Sequence, residues 1–161
     1  ERVQQAAGRA AAQGVRVAFH PHTATYVEGP EEVAALLERT DVDICFDTGH
    51  CIVGGGDPAA FVRSAGSRIT HLHLKDVDPA VLERVRSQEL SVEEAWEQGM
   101  FCAFGHGCVD FASVLAAPEL AGLDGWIVIE QDRVAVQAGD LPAVRAIEVE
   151  NLAVVSAALG R

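Results

Sequence analysis

Positive charge is what this chain has least of. Its 161 residues carry 12 Lys and Arg against 24 Asp and Glu, a net charge of −12. A nucleic-acid partner needs a basic stripe to meet the phosphate backbone. Local basic density such as Arg63 to Arg68 is too sparse to form one. Long apolar runs are missing as well, so the sequence predicts no membrane span. The four cysteines (Cys45, Cys51, Cys102 and Cys108) form no C-x-x-C pair, which removes the zinc-ribbon reading. They are expected to be reduced thiols of a cytoplasmic protein, with Cys45 a small buried side chain in an apolar strand. There is no fixed-period repeat and no low-complexity segment. Neither Gly54-Gly55-Gly56-Asp57 nor Gly105-His106-Gly107 has phosphate-loop or G-x-G-x-x-G spacing, so no nucleotide site is predicted.

With 49% apolar and 22% charged residues, the composition is that of one globular domain. Four short apolar runs stand out: Val15 to Phe19, Val42 to Phe46, Ile69 to Leu74 and Trp126 to Ile129. Runs of this length and β-branched content read as buried strands. Helical patterns lie between them, over Glu31 to Glu38, Pro58 to Ala65, Val81 to Arg86, Val92 to Gln98, Phe111 to Leu115 and Leu141 to Leu159. Pro30, Asp57-Pro58 and the Ser91/Glu94 pair supply start signals. Arg2 to Gln13 reads as the end of a helix stopped by Gly14, and the chain is expected to be the C-terminal part of something longer. Alternation of this kind predicts an α/β fold, with a parallel sheet and helices packed outside it, and an irregular insertion after the third strand.

Each strand runs into a polar cluster: His20-Pro21-His22, Asp47-Thr48-Gly49-His50, Lys75-Asp76 and Glu130-Gln131-Asp132. Parallel strands collect functional groups at their C-terminal ends, so four successive clusters predict one site. His20, Asp47, His73 and Glu130 are the expected ligands of a divalent metal. Two imidazoles and two carboxylates suit Mn²⁺ or Co²⁺, with Zn²⁺, Fe²⁺ and Mg²⁺ as alternatives. Taken singly, each residue has a plainer reading: Asp47 as a helix cap, Glu130 as a salt-bridge partner, a strand-end histidine as a surface group. The joint pattern favours the site. His71, His73 and Lys75 alternate and so face one side, with His71 a layer deeper and Lys75 at the rim, where it contacts substrate or pairs with Asp76. His22 and His50 are expected beside the ligands, as partners to them or as acid/base and substrate-contacting groups.

At these residues the sequence resembles the xylose isomerase-like TIM-barrel superfamily of sugar isomerases, epimerases and dehydratases. D-T-G-H (Asp47 to His50) and H-L-K-D (His73 to Asp76) look like its second and third ligand strands. Within it, the resemblance is to the inosose dehydratases. It is carried by H-P-H (His20 to His22), H-L-H-L-K-D-V (His71 to Val77), A-W-E-Q-G-M-F (Ala95 to Phe101), G-H-G-C-V-D-F (Gly105 to Phe111) and G-W-I-V-I-E-Q-D (Gly125 to Asp132). The resemblance implies the C-terminal half of a (β/α)₈ barrel, one partial domain over residues 1–161, with two open sheet edges prone to self-association. It also implies a metal-dependent lyase that dehydrates a keto-polyol such as 2-keto-myo-inositol through an enediolate. Glu130 or His22 would be the base and Lys75 or His50 the acid; His22, His50, Lys75 and His71 would contact substrate. An isomerase or epimerase, and an inactive metal-binding fragment, are the alternatives. Hydrolysis of a phosphoester is disfavoured by the acidic charge.

Overall fold

The computed structural model of the protein describes residues 1–133 and 137–160. Its main sheet has four parallel strands: β1 (Ala18–Phe19), β2 (Asp43–Asp47), β3 (Ile69–Leu74) and β6 (Trp126–Ile129), in that spatial order. Each strand lies beside the one before it, with no reversal of order. The helices α2 (Pro30–Arg39), α4 (Pro58–Ala65), α7 (Phe111–Leu115) and α8 (Leu141–Ala158) all send buried side chains to one face of this sheet. A doubly wound sheet would reverse its order and carry helices on both faces. Sequential order with helices on a single face is the arrangement of a barrel sector.

Beyond an irregularity in pairing between Ile44 and Cys45, where Ile69 also enters the core, the strands alternate. Ile44, Phe46, Leu72 and Leu74 point to the helices and form the core with Leu36, Val62, Ala65, Phe111, Val114 and Val155. The register pairs Cys45 with His71 and Asp47 with His73, and then His71 with Trp126 and His73 with Val128. Cys45, Asp47, His71 and His73 therefore share the opposite face.

The expected strands hold with one change. The first shrinks to Ala18–Phe19, because as an outer strand it pairs only those two residues with Asp43 and Ile44, leaving Val15 exposed. The long first helix, α1 (Arg2–Ala11), lies where expected, and Gly14 takes φ +73°, the left-handed conformation glycine tolerates.

Two elements were not expected. Helix α3 (Thr48–Val53) begins directly after β2, because Asp47 Oδ1 accepts a hydrogen bond from the His50 backbone N–H at 2.8 Å and caps it. The second is a two-stranded antiparallel ribbon of β4 (Asp76–Val77) and β5 (Phe101–Cys102), which brackets the expected insertion with its two expected helices, α5 (Pro79–Arg86) and α6 (Val92–Glu97). The insertion has its own apolar cluster of Val77, Leu82, Leu90, Ala95, Met100 and Phe101. Ser91 and Glu94 form the expected capping box. Asp76 is fully buried and anchors the insertion's return: Oδ1 accepts from Val77 and Val109 N–H, Oδ2 from Gly105 and Gly107 N–H. A Cβ on Gly107 would collide with that carboxylate, so glycine is required there. Among the described residues, no helix is long and apolar enough to cross a membrane.

Candidate metal centre

His20 follows β1, Asp47 ends β2, His73 lies near the end of β3 and Glu130 follows β6. Glu130 is tied to the strand end by its backbone N–H, which donates to the Leu74 carbonyl at 2.9 Å. The fold thus brings all four side chains to one end of one sheet face. His20 Nε2 stands 3.8 Å from Asp47 Oδ2, and the His20 and His73 rings are 5.0 Å apart. Asp47, His73 and Glu130 offer donor atoms within 4.8 Å of one another, and so do His20, Asp47 and His50.

Hydrogen bonding tests whether this donor set fits a cation. Among the described residues, five buried side-chain polar atoms lack a hydrogen-bond partner, and four of them are His20 Nε2, Asp47 Oδ2, His73 Nδ1 and Glu130 Oε2. Buried polar atoms left unpaired cost about 1–3 kcal/mol each, so a folded chain rarely gathers several without a ligand to satisfy them. His73 Nδ1 and Glu130 Oε2 approach to 2.6 Å, yet the ring nitrogen and the carboxylate are not aligned as a hydrogen bond. His20 lies near Asp47 and His73, which group in turn with Glu130, and such a set of two imidazoles and two carboxylates suits a divalent cation. The cap reading of Asp47 holds through Oδ1, and its Oδ2 is left facing His20, so the cap does not use up the carboxylate.

The local charges follow from burial and contact. Burial pushes His20 down to about 4, helped by His73 and His22. Burial raises Asp47. Close contact with His73 and then the charge of Lys75 hold Glu130 at about 2, against the opposing effect of burial. Contacts with Cys45 and then Glu130 push His73 up to about 10. A proton and a divalent cation compete for that ring.

Lys75 is not at the rim. It is the only lysine of the chain, and its side chain is 1% exposed. Thr48 Oγ1 donates to its carbonyl at 2.8 Å and accepts from its N–H at 2.9 Å. Its stem packs on Gly49, where a Cβ would meet it at 2.8 Å, and the Phe101 ring lies 4.8 Å from its ammonium. The unexpected α3 and the insertion therefore enclose it. Lys75 Nζ donates to Asp132 Oδ2 at 2.8 Å and stands 3.5 Å from Glu130 Oε1 and 3.6 Å from Asp47 Oδ2. Burial works against this ammonium, but Asp47, Asp132 and Glu130 outweigh it and raise its pKa. The alternative partner, Asp76, is occupied by the four backbone N–H groups.

His50 is buried and pushed down to about 2, first by burial and then by Lys75, so it is neutral. Its Nε2 faces Lys75 Nζ at 3.1 Å and its Nδ1 faces Thr23 Oγ1 at 2.9 Å. The ammonium can only donate, so Nε2 accepts and Nδ1–H donates to Thr23. His22 Nδ1 lies 2.7 Å from the Thr23 carbonyl, which can only accept. In the neutral ring this leaves the Nε2 lone pair free. The His22 and His50 rings are 3.7 Å apart, with Trp96 of the insertion 6.2 Å from His22. His71 lies a layer below, as the alternation predicts, its Nδ1 3.2 Å from Thr70 Oγ1.

Sequence reasoning missed Asp132, Thr23, Thr48, Trp96 and Phe101 as neighbours of the site. Asp132 had a signal, since Val128, Glu130 and Asp132 continue the alternation of β6. Trp96 and Phe101 had none, because the docking of the insertion places them.

The sequence matches the model of the xylose isomerase-like TIM barrel family over residues 1–150. It is 39% identical over 123 residues to an inosose dehydratase of Geobacillus kaustophilus, covering 74% of this chain and 40% of that protein. It is 41% identical over 156 residues to the rhizopine catabolism protein MocC of Rhizobium meliloti, covering 96% of this chain and 48% of that protein. The chain thus spans less than half the length of these relatives. Among solved structures, a D-tagatose 3-epimerase-like protein superposes with a TM-score of 0.61 at 22% identity, over 98% of this chain and 54% of the other. The probable 3-DHS dehydratase AsbF of Bacillus anthracis superposes at 0.65 and 16% identity, over 92% and 53%. At such identities these two likenesses speak for the fold. The chain belongs to the xylose isomerase-like TIM barrel family, and its four parallel strands with their outer helices form part of that barrel.

Proposed function

We propose that the protein is a metal-dependent lyase that removes water from a cyclic keto-polyol of the inosose type. The observation that carries this reading is the convergence of four unpartnered buried donors, His20 Nε2, Asp47 Oδ2, His73 Nδ1 and Glu130 Oε2, beside a buried ammonium. The relatives named inosose dehydratase support the substrate class.

His20, Asp47, His73 and Glu130 would hold the cation, with Mn²⁺ or Co²⁺ the best match to the donors. When bound, it would supply Lewis acidity at the ketone, easing loss of the neighbouring proton. His22 is the better base of the two candidates: its Nε2 carries a free lone pair, whereas Glu130 is engaged by His73 and Lys75. Lys75 is the better acid, because His50 already uses its one N–H on Thr23 and accepts from Lys75 with its other nitrogen. The α-proton passes from carbon to His22, and the β-hydroxyl leaves as water with a proton from Lys75. His50 and Asp132 hold the ammonium in place for this. His71, a layer lower, would contact substrate only through the floor of the site.

The test is dehydration of 2-keto-myo-inositol by the full-length protein, before and after EDTA treatment and with Mn²⁺ or Co²⁺ restored. Turnover that stops with EDTA and returns with metal is expected. Metal-independent turnover would overturn the reading. Deuterium uptake from solvent without loss of water would select an isomerase or epimerase instead, and absent Mn²⁺ binding would leave a fragment without a working centre.

A further inference from the structure

A thiol lies directly beneath the ligand cluster. Cys45 is two residues before Asp47 on β2, so its side chain points to the same face. It is 8% exposed, free of any disulfide, and belongs to neither apolar cluster. Its sulfur lies within 4.8 Å of a ring nitrogen of His20 and of His73, themselves within that distance of each other. A tetrahedral zinc site with bonds of about 2.0–2.3 Å sets such donors roughly 3.3–3.6 Å apart, a separation that small side-chain rotations would reach. Independently, Asp47 Oδ2, on a side chain with no exposed surface, is unpartnered and faces His20 Nε2 at 3.8 Å. The unpartnered atoms call for a cation, and a sulfur donor lies beside them.

We propose that the centre has a second ligand set, His20, Cys45 and His73, which takes thiophilic divalent ions such as Zn²⁺ and Cd²⁺. The proposal rests on the reading of His20 and His73 as metal ligands. Thiolate sulfur favours soft ions, and carboxylate oxygen favours Mn²⁺. On binding, the Cys45 thiol gives its proton to solvent and the sulfur becomes a ligand. Because both sets need the same two imidazoles, the two kinds of ion exclude each other. A thiophilic ion seated lower in the barrel wall withdraws His20 and His73 from Asp47 and Glu130, and so acts as an inhibitor that competes with the hard ion. Cys51, Cys102 and Cys108 join no such donor group among the described residues.

The experiment titrates the full-length protein with Cd²⁺ and follows the thiolate-to-cadmium charge-transfer absorption in the ultraviolet, with Mn²⁺ affinity measured on the same samples by calorimetry. A saturable band that blocks later Mn²⁺ binding is expected for the wild type. Cys45→Ala should lose the band and bind Cd²⁺ at least about tenfold more weakly, the smaller end of what even an outer-shell change costs. Its Mn²⁺ affinity should change far less than its Cd²⁺ affinity, because His20, Asp47, His73 and Glu130 all remain. Should this variant fail to fold, Cys45→Ser, nearly isosteric, carries the same comparison. No band in the wild type, or a band that survives either substitution, would overturn the inference. A wild type that binds Mn²⁺ without a cadmium–thiolate band removes this second set alone; a band without Mn²⁺ binding removes the oxygen-rich set and the proposed function with it.

Discussion

The two faces of β2 and β3 are made by alternate residues of the same ten or so positions, yet they obey opposite rules. On one face Ile44, Phe46, Leu72 and Leu74 are at most 1% exposed and pack into the main apolar core. On the other, Asp47 and Lys75 are as deeply buried but polar, and His20, His73 and Asp47 keep atoms without partners. The first face stabilises the fold by burial at about 25 cal/mol per Å² of apolar surface. The second carries desolvated charges and unpaired polar atoms that work against folding, as the proposed cation site would require. Stability and function are thus separated by a single residue step along a strand.

The sharpest way to break this comparison is at Lys75, the cation that the polar face buries almost completely. Lys75→Met keeps the stem and removes the ammonium, leaving Asp47 and Asp132 without their cation. Breaking a buried pair in this way costs about 3–5 kcal/mol, read as a lower urea midpoint. Turnover should fall by roughly 10²–10⁴, the usual contribution of a placed acid. A stable, active variant would show that the ammonium serves neither purpose. Next come two truncations of the two faces. Leu72→Ala should cost about 2–5 kcal/mol by opening a cavity in the core. His20→Ala, measured without added metal, should stay within about 1 kcal/mol of wild type, because functional positions seldom contribute to stability. Equal losses by denaturation would mean that both faces are structural.

Asp47 belongs to both worlds, and two substitutions divide it. Asparagine caps a helix as well as aspartate does, whereas alanine loses about 1 kcal/mol. Asp47→Asn should therefore keep stability and lose Mn²⁺ affinity by more than about 100-fold, since direct ligands exceed the 10–100-fold cost of outer-shell partners. Asp47→Ala should lose both. Calorimetric titration paired with urea unfolding reads the two effects separately, and loss of stability in the asparagine variant would contradict the division of its two oxygens.

The polar clusters after each strand and the alternation of His71, His73 and Lys75 were legible because strand periodicity is local. So was the parallel sheet, from the order of strands and helices. Its barrel character came from the family resemblance carried by D-T-G-H and H-L-K-D. Three things were not legible. Helix α3 depends on Asp47 serving as a cap, which the sequence offers only as one of two readings. The depth of Lys75 depends on Gly49 lying against its stem, a contact across 26 residues of chain. The wall formed by Trp96 and Phe101 depends on how the insertion folds back, which a short antiparallel ribbon and the buried Asp76 decide. In each case a cap or a contact distant in sequence decided what the local pattern left open.

The smallest expected effect tests whether that insertion is a passive cover. Its apolar cluster is separate from the main core, and α6 is started by the Ser91 and Glu94 capping box. Ser91→Ala removes one half of the box and should destabilise α6 by about 1 kcal/mol. Because the cluster is its own cooperative unit, the loss should appear as faster amide exchange across residues 91–101 rather than as a shift in global unfolding. Trp96, on that helix, stands 6.5 Å from His50, and Phe101, just beyond it, 5.6 Å. A modest rise in KM at constant Mn²⁺ affinity is therefore the expected kinetic signature, since the wall loosens while the ligands stay in place. Exchange that instead rises evenly through β2 and β3 would show the insertion and the polar face to be one unit, and the separation of the two faces would then extend to the cover as well.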